Sequence, residues 1–353
     1  MQRTPKRLGF FTRLLDDAGA GERYRLATEQ IVWAEALGFS SAWVAQHHFN
    51  ADEGGLPAPF VFLAQVAART SRIRLGTGVV TLPLENPVRV AEDAAVLDLL
   101  SGGRLEIGIG AGGTPSAFPA FGLALADRGP IFAEKFNALL DAWRGKTLGG
   151  EGNRLYPAAP HLLDRLWHGT FSAAGGHRAG EAGDGLMLSR TQPRPPNAPH
   201  ASLADIQNPM IDAYLAALPA GRAPRILASR SVFVVDDGRD ARRFAQVGLG
   251  RFADHLRDQG RPVPVGSLDQ IIAALDAHIG TPQEVIASLG DDTTLDRATD
   301  VAVQVHSVDP PHAFTLRSIE LFAREVAPAL GWAGQDGLKP PIQSISMCRD
   351  NFS

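Results

Sequence analysis

Short apolar runs alternate along this chain with longer stretches whose apolar residues recur every three or four positions. The first kind reads as strand and the second as amphipathic helix. Residues 8–14 (LGFFTRL) are the first strand. Residues 22–37 carry Leu26, Ile31, Ala34 and Leu37 at helical spacing, and Gly38 then stops the helix. The alternation continues with strands at 41–49, 73–82 and 104–113 and helices at 59–70 and 87–103, the latter opened by Pro87 and closed by Gly102-Gly103. Further on, 166–176, 184–190, 224–237 and 300–307 read as strands, with helical patterns near 203–218, 239–258 and 312–327. Eight strands alternating with helices predict a parallel sheet. In 353 residues they point to an α/β fold, a (β/α)8 TIM barrel, with an open doubly wound sheet as the other arrangement. Residues 145–165, 191–201 and 259–266 are rich in Gly and Pro, break the pattern and read as insertions after strands. One domain is expected over residues 1–333, with 334–353 as a C-terminal tail.

Composition narrows the setting. Hydrophobic residues at 44% and charged residues at 20% are ordinary for a soluble globular chain. A net charge of -4 offers no basic footprint for nucleic acid or an anionic membrane. The single cysteine, Cys348, allows no disulfide framework within the chain and suits a reducing cytoplasm. The basic start, residues 1–7, leads into an apolar run too short for a signal peptide core or a membrane span.

Three stretches carry candidate chemistry. His47 and His48 close the second strand, where successive side chains point to opposite faces. That alternation argues against both binding one metal, and no metal site is expected. Two readings stay open: polar residues at a strand end, or one histidine serving as a general acid/base near neutral pH. GTG (76–78) and GIGAGG (108–113) place glycines within strands, which marks tight packing or close approach of a ligand; neither fits the dinucleotide fingerprint. Residues 170–185 (TFSAAGGHRAGEAGDG) run from a strand through a Ser/Gly loop into a helix, a place where exposed amides bind anions. Arg128, Arg190 and Arg194 fall in or near loops on that face.

Taken together, these stretches resemble the bacterial luciferase-like flavin monooxygenase family, in particular its FMN-dependent branch. The resemblance rests on residues 37–49 (LGFSSAWVAQHHF), 75–113, 168–189, 280–289 and 321–330 and spans about residues 8 to 330. It implies a TIM barrel with a flavin lying across its mouth. It places a non-proline cis peptide at Gly78–Val79 under the ring. Gly110 matches a cysteine near the flavin edge and leaves more room there, and His47 matches the catalytic histidine. Arg128, Ser172 and the amides of Gly175 and Gly176 match phosphate ligands. The chain departs from the pattern at Ala111, where luciferase has a phosphate-binding arginine, and at Phe171-Ser172, which replaces a Glu-Ser pair; Arg190 or Arg194 is expected to compensate. Residues 50–55 would border the flavin.

The function implied is a monooxygenase. Reduced FMN (FMNH2), delivered by a separate flavin reductase, would react with O2 to give a C4a-peroxyflavin. That species would oxygenate a small organic substrate, with His47 moving the proton. Two alternatives share the fold: hydride transfer with the deazaflavin F420, and flavin binding without turnover. A homodimer is the expected assembly.

Overall fold

The computed structural model describes residues 5–332 except 259 and 262, so the tail at 334–353 lies outside the described residues. The first half runs β1 (Arg7–Thr12), α1 (Ala20–Ala36), β2 (Ser41–Val44), α2 (Pro59–Ala67), β3 (Arg74–Thr81), α3 (Pro87–Ser101), β4 (Leu105–Gly110) and α4 (Arg128–Trp143). It continues with β5 (Leu166–Gly169), α5 (Ala173–Glu181), β6 (Gly185–Leu188), α6 (Leu203–Ala217), β7 (Ile226–Val234) and α7 (Gly238–Asp258). The last part holds α8 (Leu268–Ala274), β8 (Ala277–Gly280), α9 (Pro282–Gly290), α10 (Thr293–Arg297), β9 (Asp300–Gln304) and α11 (His312–Leu321).

All strand pairings are parallel. Going round, β1 to β7 follow one another, β9 pairs with both β7 and β1, and the β6–β7 ladder closes the ring. Eight strands therefore form the barrel, as the alternation predicts. A ninth was not anticipated. β8 pairs with Ser231–Val234 at the far end of β7, beyond the Leu227–Ser231 stretch that pairs with β9. Its sequence, AHIG, forms no continuous apolar run of the kind that marks the other strands. Helix α4 was also unanticipated; it occupies part of the long β4–β5 connection. The short helices α8 and α10 were not anticipated either. The main strands and helices fall where expected, but several strands are shorter: β2 ends at Val44 and β5 at Gly169.

Local chemistry explains the boundaries. Asn86 caps α3 by accepting from the amides of Val88 and Arg89, Pro87 occupies the first turn, and Gly102 closes the helix at φ +70°. Ser202 and Asp205 form a reciprocal capping box on α6.

Two apolar layers matter for function. The larger core lies between strands and helices, with Leu75, Ile107, Val234 and Val303 meeting Leu63, Leu97 and Ile319. A smaller cluster fills the barrel interior: Trp43, Trp167, Met187, Leu227 and Ala302, with Phe11 and Val79 packed against it. The two indoles meet edge-to-face at 5.6 Å. They have room because the neighbouring strands carry glycine: a methyl at Gly76 would lie 2.2 Å from Trp43, and one at Gly185 2.2 Å from Trp167. Phe11 and Val79 form the upper surface of this plug, on which the cavity above rests.

Candidate active site

A cavity of about 320 Å³ opens where the β strands end, the face on which TIM-barrel sites are built. Its floor is Phe11, Gly78 and Val79. The β3–β4 register shifts between Thr77 and Val80, so Gly78 and Val79 leave the ladder and are half-buried at the mouth. The Gly78–Val79 peptide is cis, at the position the family resemblance implies. The room that Gly110 leaves is not open to the cavity. A methyl there would lie 2.9 Å from the Val79 side chain, and one at Gly169 2.8 Å from it, so the two glycines seat Val79.

His47 and His48 both line this cavity. That corrects the expectation that they face opposite ways. Strand β2 stops three residues before His47, and the alternation of a pleated strand no longer applies. The loop that follows folds back over the first histidine. The His47 amide donates to the Leu56 carbonyl at 3.0 Å, and the Glu53 amide to the Asn50 carbonyl at 3.2 Å. Gly54 lies so close to the imidazole that a methyl there would sit 2.6 Å from the ring. His47 Nδ1 is sealed from solvent without a hydrogen bond and lies 3.9 Å from the Glu53 carboxylate. Burial, then the charges of Arg13 and Arg190, push the His47 pKa down to about 3, so the ring is neutral. His48 packs edge-on against Phe121 at 5.0 Å, its Nε2 is also without a partner, and burial pushes its pKa down.

Three further residues at the mouth were not singled out from sequence or were assigned elsewhere. Arg13 hides in the apolar run 8–14, where it reads as an ordinary strand-end residue. Its side chain donates to the Glu53 carbonyl. Arg190 is buried at 6% exposure, and it turns towards β7 and β9 rather than towards the loop after β5. Glu53 touches several of the others: its carboxylate accepts from Thr114 at 3.1 Å and lies 4.0 Å from His255.

The expected phosphate ligands lie apart from the cavity wall. Arg128 is exposed at the first residue of α4. Ser172 caps α5, its hydroxyl accepting from the Gly175 amide at 3.1 Å, while the Gly176 amide donates to the Ser172 carbonyl at 3.0 Å. Those two amides are thus engaged within the helix, and the first-turn amides left open are those of Ala173 and Ala174. Gly176 and Gly180 serve helix packing instead: methyls there would lie 2.5 Å from the Met210 carbonyl oxygen and 2.2 Å from that of Tyr214, on α6. Arg194 is paired with Asp276 and does not reach this loop. Phe171, from the same loop as Ser172, does line the cavity.

The residues present fit a flavin at this mouth. The cavity offers an apolar floor and a wall of Leu84, Ala117 and Phe118. Its lining residues also hold orphaned polar atoms, His47 Nδ1, His48 Nε2 and Arg13 Nε, able to meet the N–H and carbonyl groups of such a ring. Among the described residues no group of three or more His, Cys, Asp and Glu comes together around a metal position.

Comparison with known proteins agrees with this geometry. The profile of the luciferase-like monooxygenase family matches residues 8–294, and the chain belongs to that family. It is 31% identical over 315 residues to the 4-hydroxyprotoasukamycin monooxygenase of Streptomyces nodosus subsp. asukaensis, covering 84% of each chain. The crystal structure of monooxygenase RslO1 from Streptomyces bottropensis superposes with a TM-score of 0.75 at 28% identity, covering 91% of this chain and 99% of that one. The fold is shared at 18% identity, with a TM-score of 0.72, by the oxygenating constituent of 3,6-diketocamphane monooxygenase from a Pseudomonas putida plasmid, solved in complex with FMN; 92% of this chain and 99% of that one are covered.

Proposed function

We propose that this protein is an FMN-dependent monooxygenase acting on a small organic substrate, with reduced FMN supplied by a separate flavin reductase. What carries the reading is one cavity at the strand ends in which Gly78, Val79 and His47 meet, in a chain of the luciferase-like monooxygenase family. Bound there in reduced form, FMN would supply the electrons that activate O2. The protein's part is to bind, orient and exclude water. Phe11 and Val79 give the ring an apolar bed, and the loop over residues 50–55 closes one side of the mouth. His47 Nδ1, without a hydrogen bond among the described residues, is the atom at which a proton is held or passed on. Ser172, the open amides of Ala173 and Ala174, and Arg128 are offered to the flavin phosphate at the top of α4 and α5.

A homodimer fits the surface. Val61 on α2 and Leu99 and Leu100 on α3 are 74%, 64% and 66% exposed, an apolar area of the kind that marks an association face.

The test is a pair of fluorescence titrations, with FMN and with F420, followed by oxygen consumption in the presence of a reductase, NADH and candidate substrates. The expected result is FMN binding and reductase-dependent oxygen uptake that a substrate couples to product. F420 binding without FMN binding would replace this reading by an F420-dependent hydride-transfer oxidoreductase. Bound flavin without coupled uptake would leave a flavin-binding protein.

A further inference from the structure

The main cavity is unusual in its charge. Three arginines line it, Arg13, Arg190 and Arg261, against one carboxylate, Glu53. Arg13 and Arg190 also form the wall between it and a smaller adjoining cavity of about 140 Å³, whose own arginine, Arg251, is paired with Asp309 at 2.7 Å. Arg190 lines the same cavity as Gly78 and Val79, and among the described residues its guanidinium donates only to neutral groups, Gln304 at 2.7 Å and Ser231 at 3.0 Å. Among the described residues nothing accepts from its remaining amino group. Among the described residues the Arg13 side chain makes one hydrogen bond, to the Glu53 carbonyl, and its Nε is sealed off without a partner.

This chain treats its other buried arginines differently. Arg230, wholly buried, is neutralised by Asp292 at 2.6 Å and also donates to Gln207 and the Ser229 carbonyl. Arg104 has no carboxylate but makes five hydrogen bonds, to oxygens of Ala67, Thr70, Ile73 and Ser101. Among the described residues neither of these adjacent cations has an ion pair or a full set of acceptors; Glu53 and Asp309 act on Arg13 only from a distance, so much of the desolvation cost of a buried charge is left without close compensation. Such a cost is tolerated where the missing partner arrives from outside. A guanidinium fork suits a planar carboxylate, which takes two parallel hydrogen bonds.

We propose that Arg13 and Arg190 form the recognition site for a carboxylate on the substrate, so that this enzyme acts on organic acids rather than on neutral hydrocarbons or aldehydes. The inference rests on the monooxygenase reading for its chemistry, but not for the binding itself. The body of the acid has an apolar seat in Phe171, Phe252 and Leu256. The same charge balance bears on His47. The two arginines help to hold that ring neutral, and a bound carboxylate offsets them, making a proton on His47 easier to keep when substrate is in place. Burial and the neighbouring Arg13 already push the Arg190 pKa down to about 9, in keeping with a cation lacking its partner.

The test is calorimetric titration of the flavin-free protein with benzoate and with its neutral analogue benzamide at constant ionic strength. Benzoate is expected to bind at least tenfold more tightly. Arg13→Gln and Arg190→Gln should each bring the two affinities together, while Arg190→Lys keeps part of the preference and shows by circular dichroism that the site still folds. Equal affinities in the wild-type protein, or a preference unchanged in both glutamine variants, would overturn the proposal. A second arm separates the flavin phosphate as the source of the anion. FMN and riboflavin affinities are compared in the same variants, and their ratio should stay at the wild-type value. A fall of FMN affinity to that of riboflavin would assign the arginines to the phosphate and overturn the carboxylate site. Benzoate selectivity with no flavin binding at all would support the carboxylate site while removing the monooxygenase reading.

Discussion

At the scale of single residues, the balance at the barrel mouth is set by what surrounds His47. The free histidine pKa of 6.5 is pushed to about 3 in the fold. The unfolded chain therefore takes up a proton between those values that the folded one does not. Stability must fall as pH drops through the window, at about 1.4 kcal/mol per pH unit for one such group. His278, buried beside Arg230 and pushed down to about 4, works in the same direction. Denaturant unfolding from pH 7 to 4 should show this acid-side loss, and His47→Asn should shallow it by about one proton while lowering substrate-coupled turnover. An unchanged slope would show that the ring is not held neutral. The position of His47 at the mouth was legible from the family motif. Arg13 and Glu53 were not, because an arginine at the end of an apolar strand and a glutamate in a loop look ordinary until the fold brings them together.

At the scale of elements, the pattern of apolar residues located every strand of the barrel, since each strand is buried on two sides and leaves a continuous apolar run. It located strand ends less well. Ala45, buried like the strand before it and still donating to the Thr12 carbonyl, extends the apolar run one residue past β2, and the alternation argument for His47 and His48 failed because the strand does not continue to them. The glycines of α5 show a second limit. Next to a serine at a helix start, Gly175 and Gly176 read as an anion cradle, whereas Gly176 and Gly180 let α5 approach α6 closely. Gly180→Ala is therefore expected to destabilise the protein by about 1–3 kcal/mol through overpacking against the Tyr214 carbonyl. Flavin affinity of the remaining folded protein should be little changed. Ser172→Ala should do the reverse at saturating flavin: a smaller cost from the lost cap, about 1 kcal/mol, and weaker binding of FMN but not of riboflavin. Thermal melts and fluorescence titrations of the two variants check both.

At the scale of the whole molecule, α2 and α3 lie side by side on the outside of the barrel and present Val61, Leu99 and Leu100 to solvent. If these form the dimer face, Leu99→Glu with Leu100→Glu should convert the species seen by sedimentation velocity from dimer to monomer, leaving the mouth of the barrel intact. A wild-type monomer at micromolar concentration would remove that assembly. The barrel class was readable because eight βα units repeat over most of the chain. The charge of the cavity was not, because it is assembled from loops after strands far apart in sequence. We read the mouth above Phe11 and Val79 as a flavin site. A crystal soaked in FMN tests it most directly. Density for the ring is expected against Gly78 and Val79 within reach of His47, with the phosphate near Ser172; a soaked crystal with that cavity empty, or with flavin bound elsewhere, would overturn the flavin site.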